Sequence, residues 1–196
     1  LLLFGLTSIY YSSQPSGPQP YGGIKGSITG LSNGALEIGP LRIPYLTIIA
    51  LAIAVFMWIV WNKTRFGKYM FAVGGNPEAA KVSGVHVKKT LLGVYCSAFV
   101  LYAIAAVLEV GRIGSAANGT GEGYEMDAVA ACVVGGVSLS GGVGTIPGVV
   151  VGVLMFTIIN YGMSFVGVNM YWQYIVKGAI ILLAVILDMR KYTRKN

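Results

Sequence analysis

The sequence predicts an all-α polytopic membrane protein, with about five membrane crossings of typical span length and the end of an earlier one. Of its 196 residues, 55% are hydrophobic and only 11% are charged, whereas soluble domains carry about a quarter charged residues. Ten of the fourteen Lys and Arg residues lie in just two segments, 63–89 and 190–195. Positive charge concentrated in this way indicates membrane topology and argues against nucleic-acid binding.

The first part of the chain predicts the end of one span, a long connection and a complete span. Residues 1–11 are apolar and begin without Met, so we expect the chain to be the C-terminal part of a longer protein. Residues 12–43 are rich in Gly, Pro and Ser, which predicts a periplasmic loop with strand-like character near 35–38. Residues 44–61 then form an apolar run of 18 residues, enough to cross a bilayer.

A polar, basic segment, 62–89, follows this span. Six Lys and Arg residues accompany a single Glu, which predicts a cytoplasmic location under the positive-inside rule. Its centre predicts a short helix, because Asn76 suits the N-cap, Pro77 the first helical position and Glu78 the positive helix N-terminus. Gly84 suits the left-handed residue that ends a helix. A helix that carries small side chains on one face and lies on a cytoplasmic loop is typical of a docking site for a soluble partner.

The second half of the chain predicts three full spans and one short apolar segment. The full spans are 90–110, 145–166 and 171–187, whereas the segment 127–139 would be only about 20 Å long as a helix. The basic tail, 188–196, is predicted to be cytoplasmic. Reaching it from the outer loop requires an odd number of crossings, so we expect 127–139 to cross as a broken helix. The alternative is a re-entrant segment and a tail that violates the rule.

Polar side chains near the membrane form the candidate translocation path. Ionisable groups at membrane depth are costly and usually face a bundle interior or water. The candidates are Glu109, Asp127, Asn160, Gln173, Tyr174 and Lys177. Two interpretations stay open: Lys177 snorkels or forms an ion pair, for example with Glu109 or Asp127, or these side chains line the passage of a solute. No residues have the pattern of a metal site or of a catalytic acid, base or nucleophile arrangement.

Several motifs resemble those of one transporter family. Glu78-Ala79-Ala80, followed by three residues and Gly84, matches the EAA-x-x-x-G core of ABC importer permeases, although the apolar-Leu-Pro portion downstream is absent. Further similar segments, in the order expected of the monosaccharide ABC permeases, are 64–68, 74–85, 111–115, 127–138 and 171–179. The chain resembles that family, which includes the ribose, xylose, arabinose and galactose permeases. Segments 61–68 and 168–174 are most similar to the galactose/methyl-galactoside members.

The resemblance implies the membrane-spanning subunit of an ATP-driven monosaccharide importer in the bacterial inner membrane, working by alternating access. It implies a second permease copy, a periplasmic sugar-binding protein and ABC ATPase subunits that dock on a coupling helix. The implied coupling residues are Asn76, Pro77, Glu78, Ala79, Ala80, Lys81 and Gly84. Since the sequence contains no G-x-x-x-x-G-K-[ST] phosphate loop, ATP is expected to bind the partner ATPases. We expect no enzymatic activity and no cofactor in this chain.

Two alternatives remain at this stage. The first is an ABC permease for another substrate, such as ribose, xylose, a nucleoside or a branched-chain amino acid, because such permeases share the coupling pattern. The second is an ATPase-independent secondary transporter, which would depend on a buried charge such as Lys177.

Overall fold

The computed structural model describes residues 2–14, 20–23 and 26–193, which are mainly helical. Within these residues the contacts define two compact units, Leu1–Ile53 with Cys96–Glu122 and Ala54–Tyr95 with Gly123–Asn196. The elements are α1 Leu2–Ser12, α2 Gly26–Asn33, β1 Ala35–Ile38, β2 Leu41–Pro44, α3 Tyr45–Lys63, α4 Arg65–Gly75, α5 Pro77–Val82, α6 Val87–Ile113, α7 Tyr124–Val134, α8 Ile146–Phe165 and α9 Met170–Thr193.

Among the residues that the structure describes, three helices are long and apolar enough to cross a membrane, namely α3, α6 and α8. Their 19, 27 and 20 residues correspond to about 28, 40 and 30 Å at the usual helical rise. The sequence predicted a span at each of these places. Helix α9 is apolar over Met170–Leu183, and α7 has only 11 residues, as the short apolar segment predicted. The number of crossings depends on α7 and α9.

The first unit contains a small hairpin. Strands β1 and β2 pair antiparallel, and Glu37 lies opposite Arg42 with a carboxylate–guanidinium distance of 4.0 Å. The strand-like character near 35–38 is confirmed, whereas β2 and α2 were not predicted. In β2, Pro44 occupies the last position, where the missing amide of proline is tolerated in an edge strand.

Contacts in this unit join the first part of the chain, from α1 to α2, to the end of α6 and the connection after it. Tyr21 and Ala116 exchange two backbone hydrogen bonds of 2.8 and 2.9 Å, and the Asn33 side chain donates to the Gly111 carbonyl at 3.4 Å. Asn118 donates to the Ser8 hydroxyl at 2.8 Å. Residues from both segments therefore lie together.

In the second unit, α7 packs against α8 and α9. Ala130, Ala131 and Phe156 form the buried core, and Ile180 and Ile181 of α9 pack against it. Helix α7, the shortest of the candidate crossing helices, is therefore covered by protein on two sides.

Helices α7 and α8 approach each other at glycine. A Cβ atom on Gly152 would overlap the Ala131 carbonyl oxygen and would lie 2.7 Å from the Gly135 nitrogen. Small residues allow such close approach between membrane helices. Gly148, four residues before Gly152 in the sequence, also contacts Gly135.

We expect Gly152→Ala to destabilise the protein by about 1–3 kcal/mol, because overpacking forces the backbones of α7 and α8 apart. Thermal unfolding of the full-length protein in detergent measures the change. The matched control is Gly162→Ala in the same helix, where an added Cβ meets nothing within 4 Å. Equal unfolding temperatures for the two variants would contradict the close approach.

The basic segment 62–89 contains two helices, α4 and α5, whereas the sequence predicted only the second. Thr64 caps α4, since its hydroxyl accepts from the Gly67 amide at 3.2 Å and donates to the Val60 carbonyl at 2.6 Å. The Thr64 side chain therefore bonds both to the last turn of α3 and to the first turn of α4. A Thr N-cap before a helix is a recognisable signal that the interpretation as a loop overlooked.

Candidate functional site: the α4–α5 segment and the α7–α9 ion pair

Helix α5 begins as its capping residues predict. The Asn76 side-chain oxygen accepts hydrogen bonds from the amides of Glu78 and Ala79, both at 3.0 Å. Pro77 occupies the first turn, where its missing amide proton costs nothing. Gly84 has φ of +83°, the left-handed conformation that favours glycine after a helix. These caps give a helix of only six residues a defined start and end.

One side chain anchors α5, and the others are presented outward. Ala80 is buried, with 4% of its surface exposed, whereas Glu78, Ala79 and Lys81 are exposed. Val82 is 90% exposed, and the sequence analysis did not single it out. The sequence feature that could have identified Val82 is an apolar, β-branched residue between Lys81 and Ser83 in a polar segment. The outward surface of α5 thus combines an acid, a base and an apolar side chain.

A glycine turn between α7 and α8 touches the C-terminal end of α4. A Cβ atom on Gly74 would lie 2.9 Å from the Gly142 nitrogen, and one on Gly142 would lie 2.7 Å from the Gly75 Cα. In this turn Gly141 and Gly142 have φ of +90° and +72°, the left-handed conformation that favours glycine. Since Gly75 directly precedes the Asn76 cap, the α7–α8 connection lies beside the start of α5.

Asp127 of α7 and Lys177 of α9 form an ion pair. The Lys177 Nζ atom lies 2.8 Å from Asp127 Oδ1 and 2.9 Å from Oδ2. The lysine and aspartate side chains are only 18% and 30% exposed. The Nζ atom also lies 5.9 Å from the ring centroids of Phe156 and Tyr174, within reach of a cation–π interaction. One of the two ion pairs that the sequence allowed is therefore present.

The ion pair lines a pocket of about 180 Å³. Its walls are mainly apolar, so the charged pair and the Tyr174 side chain supply its polar groups. The pocket is lined by Gly123, Met126, Asp127, Tyr174, Lys177, Gly178 and Ile181. The pocket is smaller than the roughly 300–1,000 Å³ that is usual for small-molecule sites, although it combines apolar walls with a few polar groups.

The other predicted path residues have separate environments. Glu109 pairs with Arg112 in the first unit, with N–O distances of 2.7 and 3.0 Å. Gln173 donates to the Val168 carbonyl at 2.9 Å, so its amide stabilises the α8–α9 turn. Asn160 differs, because its side-chain oxygen is buried and accepts no hydrogen bond from the described residues. An unpaired buried oxygen costs about 1–3 kcal/mol, which favours a donor from a ligand or another segment.

Comparison with known proteins identifies the family. The model of the branched-chain amino acid transport system / permease component family matches residues 1–185. The chain belongs to this permease family. The comparison with solved structures found no match.

Several curated proteins to which the permease is similar are sugar permeases by name. It is 54% identical over its whole length to the galactose/methyl galactoside import permease protein MglC of Escherichia coli (strain K12), of which it covers 58%. It is 44% identical over 146 residues, 74% of the chain, to the xylose transport system permease protein XylH of Haemophilus influenzae, covering 39% of it. It is 38% identical over 97% of the chain to the ribose import permease protein RbsC of Escherichia coli (strain K12), covering 58% of it. The predicted resemblance to monosaccharide permeases is confirmed.

Proposed function

We propose that the chain is part of the membrane-spanning subunit of an ATP-driven importer for galactose or methyl galactosides. The observation that carries this proposal is the 54% identity to MglC across all 196 residues. The xylose and ribose permeases are less similar, at 44% and 38%. The chain spans 58% of the length of MglC, so the pathway would also include segments outside it.

Competition for uptake tests the substrate. Cells that lack their own galactose permease, but keep the ATPase and binding protein, would express the full-length permease. Labelled methyl galactoside should enter, and unlabelled galactose should reduce its uptake at lower concentrations than ribose or xylose. Stronger competition by ribose or xylose would overturn the proposed sugar.

We infer a topology of five crossings in which α3, α6, α7, α8 and α9 alternate in direction. The contacts of Tyr21 with Ala116 and of Asn33 with Gly111 support an outer location for both segments. The contact of Gly74 with Gly142 supports a cytoplasmic location for the α7–α8 turn, beside the basic segment. The tail after α9 would then be cytoplasmic.

Helix α7 would cross together with the irregular residues 135–139. Eleven helical residues span only about 16 Å, so extended backbone would complete the passage. Irregular backbone at membrane depth requires a protein environment, which the packing of α7 on α8 and α9 provides. This packing supports a broken crossing helix over a re-entrant segment.

A Ser140→Cys permease tests this topology. We expect a membrane-impermeant thiol reagent to label the cysteine in inverted vesicles but not in intact spheroplasts, because the α7–α8 turn would be cytoplasmic. Asn118→Cys, in the connection between α6 and α7, is the matched control and should show the opposite pattern. Both variants require a background without Cys96 and Cys132. Labelling of Ser140→Cys from outside would make 127–139 re-entrant.

The proposed coupling path begins at α5, on which the ATPase subunits would dock through Glu78, Lys81 and Val82. Movement of α5 would pass to the glycine contact between Gly74 and Gly142 and then to α7 and α8. Two observations support this path. The three side chains are exposed on α5, and the contact joins two glycines, which have no Cβ atom. Nucleotide binding and hydrolysis would belong to the ATPases.

The proposed sugar contact is the pocket at Asp127, Tyr174 and Lys177. Carboxylate and ammonium groups bind hydroxyls by charge-assisted hydrogen bonds, and the exposed Tyr174 ring offers an apolar face. The unpaired Asn160 oxygen would accept from a hydroxyl elsewhere along the path. The two ionic groups balance each other's charge, which suits a neutral solute.

A further inference from the structure

Helix α4 presents a basic face. Over residues 65–73 its exposed residues recur at the spacing of one helical face. They are Arg65, Lys68, Tyr69 and Ala72. The opposite face, which includes Phe66, Gly67, Met70 and Val73, is buried or half-buried. The helix is therefore amphipathic, with cationic side chains on its outer side.

Contacts on the inner face fix the orientation of α4. The rings of Phe71 and Trp61 meet edge to face, with centroids 6.0 Å apart and planes at 85°. A Cβ atom on Gly93 would lie 2.8 Å from Cε2 of Phe66. The end of α3 and the beginning of α6 thus hold the apolar face of α4, and the basic face points away from both.

The length of α3 determines how deep in the bilayer the basic face of α4 lies. Helix α3 is about 28 Å long, close to the thickness of about 30 Å of a bilayer hydrocarbon core. Lys63 ends it, and the Lys63 Nζ atom lies 5.9 Å from the Trp58 ring. Tryptophan and snorkelling lysine are typical of the membrane–water interface. Because α4 begins only two residues after Lys63, its first turn lies at the level of the lipid headgroups.

Within the described ranges, the cations at this junction form no ion pair with an acidic side chain. In the described part of the chain, the ion pairs join Arg42 with Glu37, Arg112 with Glu109 and Lys177 with Asp127. None of these includes Lys63, Arg65 or Lys68. The only acid in segment 62–89 is Glu78, which lies on α5. Their positive charge is therefore available to an anionic ligand.

We propose that Lys63, Arg65 and Lys68 form a binding surface for the headgroups of anionic phospholipids. Juxtamembrane basic clusters attract anionic lipid with about 1 kcal/mol for each Lys or Arg, and guanidinium binds phosphate in a bidentate geometry. A lipid fits better than an acidic face of an ATPase, because the end of α3 sets the cations at headgroup depth. The inference uses the proposed cytoplasmic orientation of segment 62–89 and needs neither the proposed substrate nor an ATPase.

Tryptophan quenching by brominated lipid measures this binding. The full-length permease would keep Trp58 and Trp61, with its other tryptophans replaced by Phe, in bilayers of phosphatidylcholine and phosphatidylglycerol. Bromine on one lipid or the other then reports which headgroup lies beside the α3–α4 junction. We expect brominated phosphatidylglycerol to quench more strongly, and Arg65→Gln/Lys68→Gln to lower the preference roughly thirtyfold. The preference should weaken in high salt.

Two further variants keep the test decisive. Arg65→Lys/Lys68→Arg preserves the charge and should retain the preference. Lys81→Gln/Lys88→Gln removes the same charge from elsewhere in segment 62–89 and should also retain it. Unchanged quenching in Arg65→Gln/Lys68→Gln would overturn the proposal, as would an equal loss in the Lys81→Gln/Lys88→Gln control. Loss of ATPase association in Arg65→Gln/Lys68→Gln with unchanged lipid preference would assign the surface to the ATPase instead.

Discussion

A Glu78→Lys permease should reach the membrane in normal amounts and fail to retain its ATPase. Glu78 is exposed in the first turn of α5, so the substitution reverses the charge on the proposed docking surface without altering the core. Like-charge contacts across an interface cost several kcal/mol, and each 1.4 kcal/mol is tenfold in affinity. We therefore expect association to weaken by at least about tenfold, with a parallel loss of sugar uptake.

Co-purification from membranes measures the association, and fluorescence-detected gel filtration verifies insertion and folding. Glu122→Lys is the matched control, because it makes the same change at an exposed carboxylate between α6 and α7, on the proposed outer side. It should retain the ATPase. Normal association and uptake in Glu78→Lys would remove α5 from the coupling path.

Breaking the Asp127–Lys177 pair should have the second largest effect. Lys177→Met leaves a part-buried carboxylate without its counter-ion, and loss of one partner of such a pair costs about 3 kcal/mol or more. The exchanged pair Asp127→Lys/Lys177→Asp should recover much of that loss, with a coupling energy of about 1–3 kcal/mol. Thermal unfolding of Asp127→Lys, Lys177→Asp and the exchanged pair measures this cycle.

Transport by the exchanged pair separates a structural role from a role in the sugar path. If the carboxylate and ammonium contact sugar, their exchange should restore stability while the KM for uptake stays raised. A normal KM would make the pair purely structural. Failure to recover stability would show that the two groups are not coupled. Arg112→Met is the control, because its partly exposed pair with Glu109 should contribute only about 0–1 kcal/mol.

Sequence reasoning predicted the features that depend on local composition. Apolar length predicted α3, α6 and α8, since a bilayer sets the length of a span. The side chain of Asn76 and the position of Pro77 predicted the start of α5, because capping is a contact between near neighbours. Helix α4 was missed because it is short, because it mixes apolar and basic side chains within one polar segment, and because it depends on packing against Trp61.

The candidate site was less predictable because it depends on contacts between distant segments. The partner of Lys177 could be narrowed to Glu109 or Asp127, but only the packing of α7 on α9 decides between them. The contact of Gly74 with Gly142 joins two glycine-rich segments that each resemble an ordinary turn in the sequence. The buried Asn160 oxygen is likewise recognised only once the surrounding helices are assembled.

Reconstituted transport tests the central claim most directly. The full-length permease would be assembled in proteoliposomes with its ATPase and sugar-binding protein, and uptake of labelled galactose would be measured with ATP, without nucleotide, and with a non-hydrolysable analogue. We predict uptake only with hydrolysable ATP and only when the ATPase is present. Equal uptake without ATPase, driven by an ion gradient, would contradict the account and identify a secondary transporter.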